Sequence, residues 1–214
     1  MSDNPPLWFV DRFTVPRLAP YLRTALREDV PVVDLYVWNL QLSEAFYVPL
    51  HCLEVCLRNS IHHQLKTRFS QEDWWAVAPL RPDHRTRIEN AAADVRQRKL
   101  CPSADDVVAE LSFGLWVSLL SRAYDRHLWV PALHNAFPHY RGPREQLRRD
   151  LDTMRLFRNR IMHHEPIHHR GLAADHAKIY ALLDCLGPEI KPWLRTVDRV
   201  PSVLALRPQA DQHA

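Results

Sequence analysis

Between Asn39 and Phe69 the apolar residues Leu42, Phe46, Leu50, Leu53, Leu57, Ile61 and Leu65 return every three or four positions, the period of one long helix with a buried stripe. A strand repeats every second residue and cannot use this pattern. Pro49 falls inside the run and is expected to kink the helix or mark a restart, because proline removes a backbone donor and crowds the preceding turn. The rest of the chain reads the same way. Only 4 Gly stand against 17 Pro in 214 residues, and most of the prolines separate apolar-periodic segments, as rigid connections between helices do. No run of alternating Val, Ile and Thr offers a sheet. The expected class is all-α, and a chain of this length can bury a core as one compact unit.

Residues 1–16 hold Pro5, Pro6 and Pro16 beside Trp8 and Phe9, which suggests an irregular arm docked by its aromatics. A short helix over Arg17–Arg27 should end before Pro31. Trp74 and Trp75 read as a turn that packs aromatics into the core, in preference to a base-stacking platform. A polar helix follows over Asp83–Arg98. Ser103 with Asp106 is a capping signal for another, expected to run through Val107, Val108 and Leu111 into Ser112-Phe113-Gly114 and on through apolar residues 115–124. Pro131 and Pro138 make residues 129–140 a loop with at most one short helical piece. Pro143 opens a helix whose buried stripe is Leu147, Leu151, Met154 and Ile161, with Phe157 beside it. Pro166 disfavours helix at Glu165 and ends that element just after His163 and His164. Ala173–Leu186 is a helix stopped by Gly187-Pro188, Glu189–Asp198 a last one, and the chain after Arg207 a loose tail. The expected organisation is an arm and short helix over 1–30, a main domain over 31–198 and a tail over 199–214.

The formal charge of +3 is too mild to announce a nucleic-acid binder. Local clustering matters more: Arg141, Arg144, Arg148, Arg149, Arg155, Arg158 and Arg160 crowd one stretch, which could track a phosphate backbone. Glu145, Asp150 and Asp152 are interleaved with them, which equally describes a solvated helical face. Four cysteines without an apolar leader after Met1–Asn4 argue against a secreted disulfide scaffold, and no segment is long enough to cross a bilayer, so the chain reads as cytoplasmic with no membrane partner. Cys52 and Cys56 lack a matched second pair and are read as small buried hydrophobes. Neighbouring histidines on a helix point about 100° apart, so His163, His164, His168 and His169 are not read as a metal site, and no cofactor is expected.

The segment Phe157-Arg158-Asn159-Arg160-Ile161-Met162-His163-His164-Glu165-Pro166 combines a permanent cation, an amide and an imidazole near a helix end. Asn159 and His163 are one turn apart and share a face, and the long Arg158 side chain can swing towards the same space. Arg binds phosphate bidentately at any pH, and His alone titrates near neutrality, so the set suits phosphodiester chemistry. The pattern R-N-x-x-x-H, together with Glu54-Val55-Cys56-Leu57-Arg58-Asn59, Leu111-Ser112-Phe113-Gly114-Leu115-Trp116 and the His-His-Glu-Pro-Ile ending, resembles the HEPN superfamily of ribonucleases. Within it the chain is most similar to the Abi-like (abortive infection, AbiD/AbiF type) proteins, over roughly residues 30 to 195.

That resemblance implies a HEPN-like helical bundle with short additional helices and the N-terminal arm. It also implies a metal-independent endoribonuclease that cuts RNA by attack of the ribose 2′-hydroxyl, acting in antiphage defence. His163 would move the proton, Arg158 would hold the phosphate, and Asn159 would orient one or the other. Glu54 and Arg58, four residues apart, are placed for an ion pair that steadies the active-site helix. Arg58-Asn59-Ser60-Ile61-His62-His63 repeats the R-N-x-I-x-H pattern. His63 could therefore complete a composite site within one chain, or a homodimer could bring two Arg158/His163 sets together. Arg148, Arg155, Arg160 and His164 are the expected RNA contacts. The competing expectations are a non-catalytic RNA- or protein-binding module and a toxin silenced by a protein or RNA antitoxin.

Overall fold

In a computed structural model that describes residues 5–210, every regular element is helical and no strand occurs among the described residues. The α-helices are α1 (Leu7–Phe13), α2 (Val15–Glu28), α3 (Val32–Phe69), α4 (Pro82–Arg98), α5 (Ala104–Glu110), α6 (Phe113–Ser118), α7 (Arg144–Met162), α8 (Leu172–Leu186), α9 (Ile190–Leu194) and α10 (Val200–Ala205). Short 3-10 turns at Trp74–Ala76, Arg122–Tyr124 and Leu133–Ala136, and a π turn at Asp125–Trp129, fill the connections. No described helix is long and apolar enough to cross a membrane.

The chain divides into two compact units. The first takes in the chain up to Leu50, Leu156–Tyr180 and the chain from Pro192; the second comprises His51–Arg155 and Ala181–Lys191. α3 is longer than the periodicity suggested, starting at Val32, and it continues through Pro49 without a restart. Its stripe is buried as expected: Leu42, Phe46, Leu57, Ile61 and Leu65 are wholly shielded from solvent.

In the first unit the described part of the expected irregular arm, from Pro5 onward, is mostly helical: α1, continued by α2 after Thr14 with a positive φ of 62°; residues 1–4 of that arm lie outside the described residues. The prolines explain it. Pro6 sits at the N-cap of α1 and Pro16 in the first turn of α2, where a missing N–H costs nothing. The aromatics do dock this segment: Phe9 is buried against Phe13 and, edge to face at 5.3 Å, against Tyr36. Phe46 of α3 meets Phe157 of α7 edge to face at 4.9 Å in the middle of this core. The last expected helix, Glu189–Asp198, is shorter than its pattern and stops at Leu194; just before α10 the Asp198 side chain accepts from Val200 N at 2.9 Å. α10 buries Val200 and Val203, and the Val203 carbonyl accepts from the Trp38 indole at 2.8 Å. It lies within the segment expected as tail; residues 211–214 of that tail are outside the described residues.

In the second unit Trp74 is fully buried against Trp116, ring centroids 6.3 Å apart, while Trp75 is half-buried. Ser103 and Asp106 form the expected capping box. The helix they start does not reach Gly114, however. Leu111 is extended and Ser112 caps α6 by accepting from Leu115 N, so a second cap interrupts what the apolar pattern left continuous. Buried His84 and Tyr124 share a hydrogen-bond cluster with half-buried Ser118, Tyr124 Oη lying 2.7 Å from His84 Nδ1. On α7 the expected stripe is buried throughout: Leu147, Leu151, Met154, Phe157 and Ile161.

Candidate functional site

Arg158, Asn159 and His163 lie at the C-terminal end of α7, in the first unit. The helix stops through a Schellman motif: His164 N donates to Ile161 O at 2.9 Å and Glu165 N to Arg160 O at 2.8 Å, around His164 in the left-handed conformation (φ 58°). Glycine is the usual residue at that position, because it has no Cβ to crowd the following carbonyl. The apolar contact that commonly spans such a motif is replaced by an ion pair, Arg160 Nε to Glu165 Oε2 at 3.3 Å. His163 is the last residue bonded into the helix, its N–H donating to Asn159 O at 2.9 Å. Its side chain is exposed, while Arg158 and Asn159 are half-buried.

The loop after the motif is fastened by one side chain that the sequence pattern did not single out. Asn39 is buried in α3, and its Oδ1 accepts from both Ile167 N at 2.8 Å and His168 N at 3.0 Å. His168 is buried at 1% exposure, its Nε2 3.1 Å from Thr24 Oγ1 and its ring 4.7 Å from that of Tyr21. Burial, helped by His169 and Arg207, lowers its pKa to about 4. His168 is therefore a neutral core group at ordinary pH. Arg170 lies 4.8 Å over the Phe157 ring and holds Asp175 bidentately, tying the loop to the first turn of α8.

A cavity of about 560 Å³ opens beside the end of α7, lined by apolar Ala45, Val48, Ile161 and Val197 with His164 and Tyr47 among its polar groups. Glu44 and Arg199, which also line it, pair at 2.9 Å. None of Tyr47, Glu44 and Arg199 was among the sequence candidates. Tyr47 could have been noticed as an aromatic on the exposed side of α3; nothing local marks Arg199.

The expected RNA contacts fall into two groups. Arg148 and Arg155 belong to the second unit and are engaged by their own helix, Arg148 with Glu145 at 2.6 Å and Arg155 with Asp152 at 2.7 Å. Arg144 is drawn inward to Asp125 at 2.8 Å and to the Leu120 carbonyl. Partly exposed pairs of this kind hold a side chain weakly and can be exchanged for another anion. Arg160 and His164 belong to the first unit, Arg160 shared between Glu165 and His169.

The supporting set Glu54, Arg58, Asn59 and His63 lies on α3 in the second unit. Arg58 Nε donates to Asn59 Oδ1 at 3.2 Å, and its terminal nitrogen reaches the Ala109 carbonyl at 3.5 Å. His63 is exposed. Its neighbour His62 is structural, buried with Nδ1 accepting from the Trp74 indole at 3.1 Å. Cys52 and Cys56 carry thiols whose pKa burial pushes up, and neither is in a disulfide. Among the described residues no three His, Cys, Asp or Glu side chains are grouped to hold a metal ion. No family model, curated protein or solved structure matches this chain.

Proposed function

We propose that this protein is a metal-independent endoribonuclease acting in abortive-infection defence, with a HEPN-like bundle as its scaffold. One observation carries the reading. An exposed imidazole, His163, stands at a helix end whose backbone is locked, one turn from Asn159 and on the same short segment as the permanent cation Arg158. Locked backbone and half-buried neighbours are what a proton-transfer group needs to meet a substrate in one geometry.

In this mechanism the ribose 2′-oxygen attacks the adjacent phosphorus while His163 takes its proton. The bond from phosphorus to the 5′-oxygen breaks, and that oxygen takes a proton from water or a second imidazole. The products are a 2′,3′-cyclic phosphate and a 5′-hydroxyl. Arg158 offsets the charge that builds on the non-bridging oxygens. The cavity lined by Tyr47 and His164 is wide enough for a nucleobase of the same strand.

The test is incubation of purified protein with a mixed RNA pool in the presence of chelator, with end-group mapping. Arg158→Ala and His163→Ala should each abolish cleavage while leaving the circular dichroism unchanged. Cleavage that persists in both variants defeats the assignment, and RNA binding without cyclic-phosphate product would make the protein a non-catalytic binding module. The second imidazole comes from a homodimer partner in this reading; His63→Ala separates the alternatives, since full activity in that variant removes the single-chain version. Silencing by a protein or RNA antitoxin belongs to the same proposal.

A further inference from the structure

A second cavity, of about 500 Å³, lies in the first unit and is lined by Arg160, His169, Arg170, Ala174, Asp175 and Lys178. Three of these side chains are cations at neutral pH and one, Asp175, is an acid, so the lining carries a net positive charge. Both Asp175 oxygens are taken by Arg170, Nε to Oδ2 at 2.8 Å and a terminal nitrogen to Oδ1 at 3.0 Å. The Arg170 guanidinium also sits 4.8 Å over the Phe157 ring. Arg160 contributes from α7, held loosely by exposed Glu165, a pair that an incoming anion can replace at little cost. Lys178 contributes from the second turn of α8, whose fifteen residues also direct their positive end towards this wall. Arg158, Asn159 and His163 do not line this cavity.

We infer that this cavity is a phosphate-binding site, taking a phosphate group of a nucleotide or of a nucleic-acid backbone. The Arg160 guanidinium and the terminal nitrogen of Arg170 that Asp175 does not hold can donate to a tetrahedral oxyanion, Lys178 supplies a point charge, and the volume leaves room for an attached sugar. His169 reports on the same wall. Its Nε2 is 3.4 Å from a terminal nitrogen of Arg160, and its pKa is lowered, first by burial and then by Arg160 and Arg170. An anion between those guanidiniums would offset their charge, so binding should raise the His169 pKa.

The experiment is NMR titration of the His169 ring in the full chain with inorganic phosphate, ionic strength being held constant with chloride. Phosphate should raise the His169 pKa, and the affinity should fall about tenfold in Lys178→Gln, the loss of one charge-assisted contact. Ala174→Glu, at an exposed position on the cavity wall, should abolish the response without disturbing the core. A His169 titration that is the same in phosphate and chloride overturns the inference, as does wild-type affinity in both variants. Competition then identifies the source: displacement of phosphate by single-stranded RNA marks a backbone subsite, and displacement by a nucleoside monophosphate alone marks a small-molecule site. No cleavage is read in any arm, so inactivity towards RNA would leave this result standing.

Discussion

Acidification should destabilise this protein through His168, by an amount that follows from its burial. The ring is 1% exposed, its Nδ1 has no hydrogen-bond partner among the described residues, and its folded pKa is about 4 against an ordinary value of 6.5. Above the ordinary value the ring is neutral in both folded and unfolded chains, and the pKa difference has no effect on stability. As pH falls below 6.5 the unfolded chain takes up a proton that the folded chain refuses, so stability is lost until the folded pKa is passed. Each pH unit of refused protonation is worth about 1.4 kcal/mol. The loss is then roughly 2 kcal/mol at about pH 5 and roughly 3 kcal/mol at about pH 4. Other groups titrate over the same range, so the comparison is with His168→Phe, which fills the ring's space and cannot protonate. Urea unfolding of both proteins across about pH 7 to pH 4 gives the difference. Wild type should lose stability relative to the variant along that curve. Two curves that stay parallel would refute the claim that His168 is held neutral.

Three further outcomes are expected. Asn39→Ala leaves two backbone N–H groups, of Ile167 and His168, without their acceptor; urea unfolding should show a loss of about 2–5 kcal/mol, and the RNA cleavage proposed for this site should fall with it as the loop after His163 loosens. His164→Gly relieves a side chain held at φ 58° and should raise stability by roughly 0.5–1 kcal/mol in thermal melts, while weakening any activity that uses the imidazole. Gly114→Ala should be tolerated within about 1 kcal/mol, because the new Cβ would sit 3.4 Å from the flexible Arg155 Cδ and helix propensity favours alanine; a larger loss would mean the close packing at α6 is rigid.

The legible part of the fold was the part governed by local rules. The stripe from Leu42 to Leu65 is buried as its spacing demanded, Pro143 and Gly187 bound α7 and α8, and Ser103 with Asp106 caps α5. Local rules failed where two of them competed. Ser112 could continue a helix or start one, and the apolar residues on either side hid the break between α5 and α6. The prolines near the N-terminus signalled disruption but stand at helix starts, a distinction that depends on their neighbours' hydrogen bonds. Of the candidate site, the sequence supplied Arg158, Asn159 and His163 and the helix end that carries them, since all three follow from spacing along one helix and the proline beyond it.

What the chain alone determined, then, is the helical class, most helix boundaries and the grouping of cation, amide and imidazole at the end of α7. Only the tertiary structure decided which histidine is core and which is exposed: His168 is sealed under Thr24 and Tyr21, and His164 is turned outward at a positive φ. It also decided that Asn39, 128 residues before Ile167, closes the loop, and that Arg160, His169, Arg170 and Lys178 share a wall. The physical reason is range. Backbone propensity, capping and periodicity act within a turn or two, whereas burial, hydrogen-bond satisfaction and the field at a titrating ring depend on partners that only the folded chain brings near.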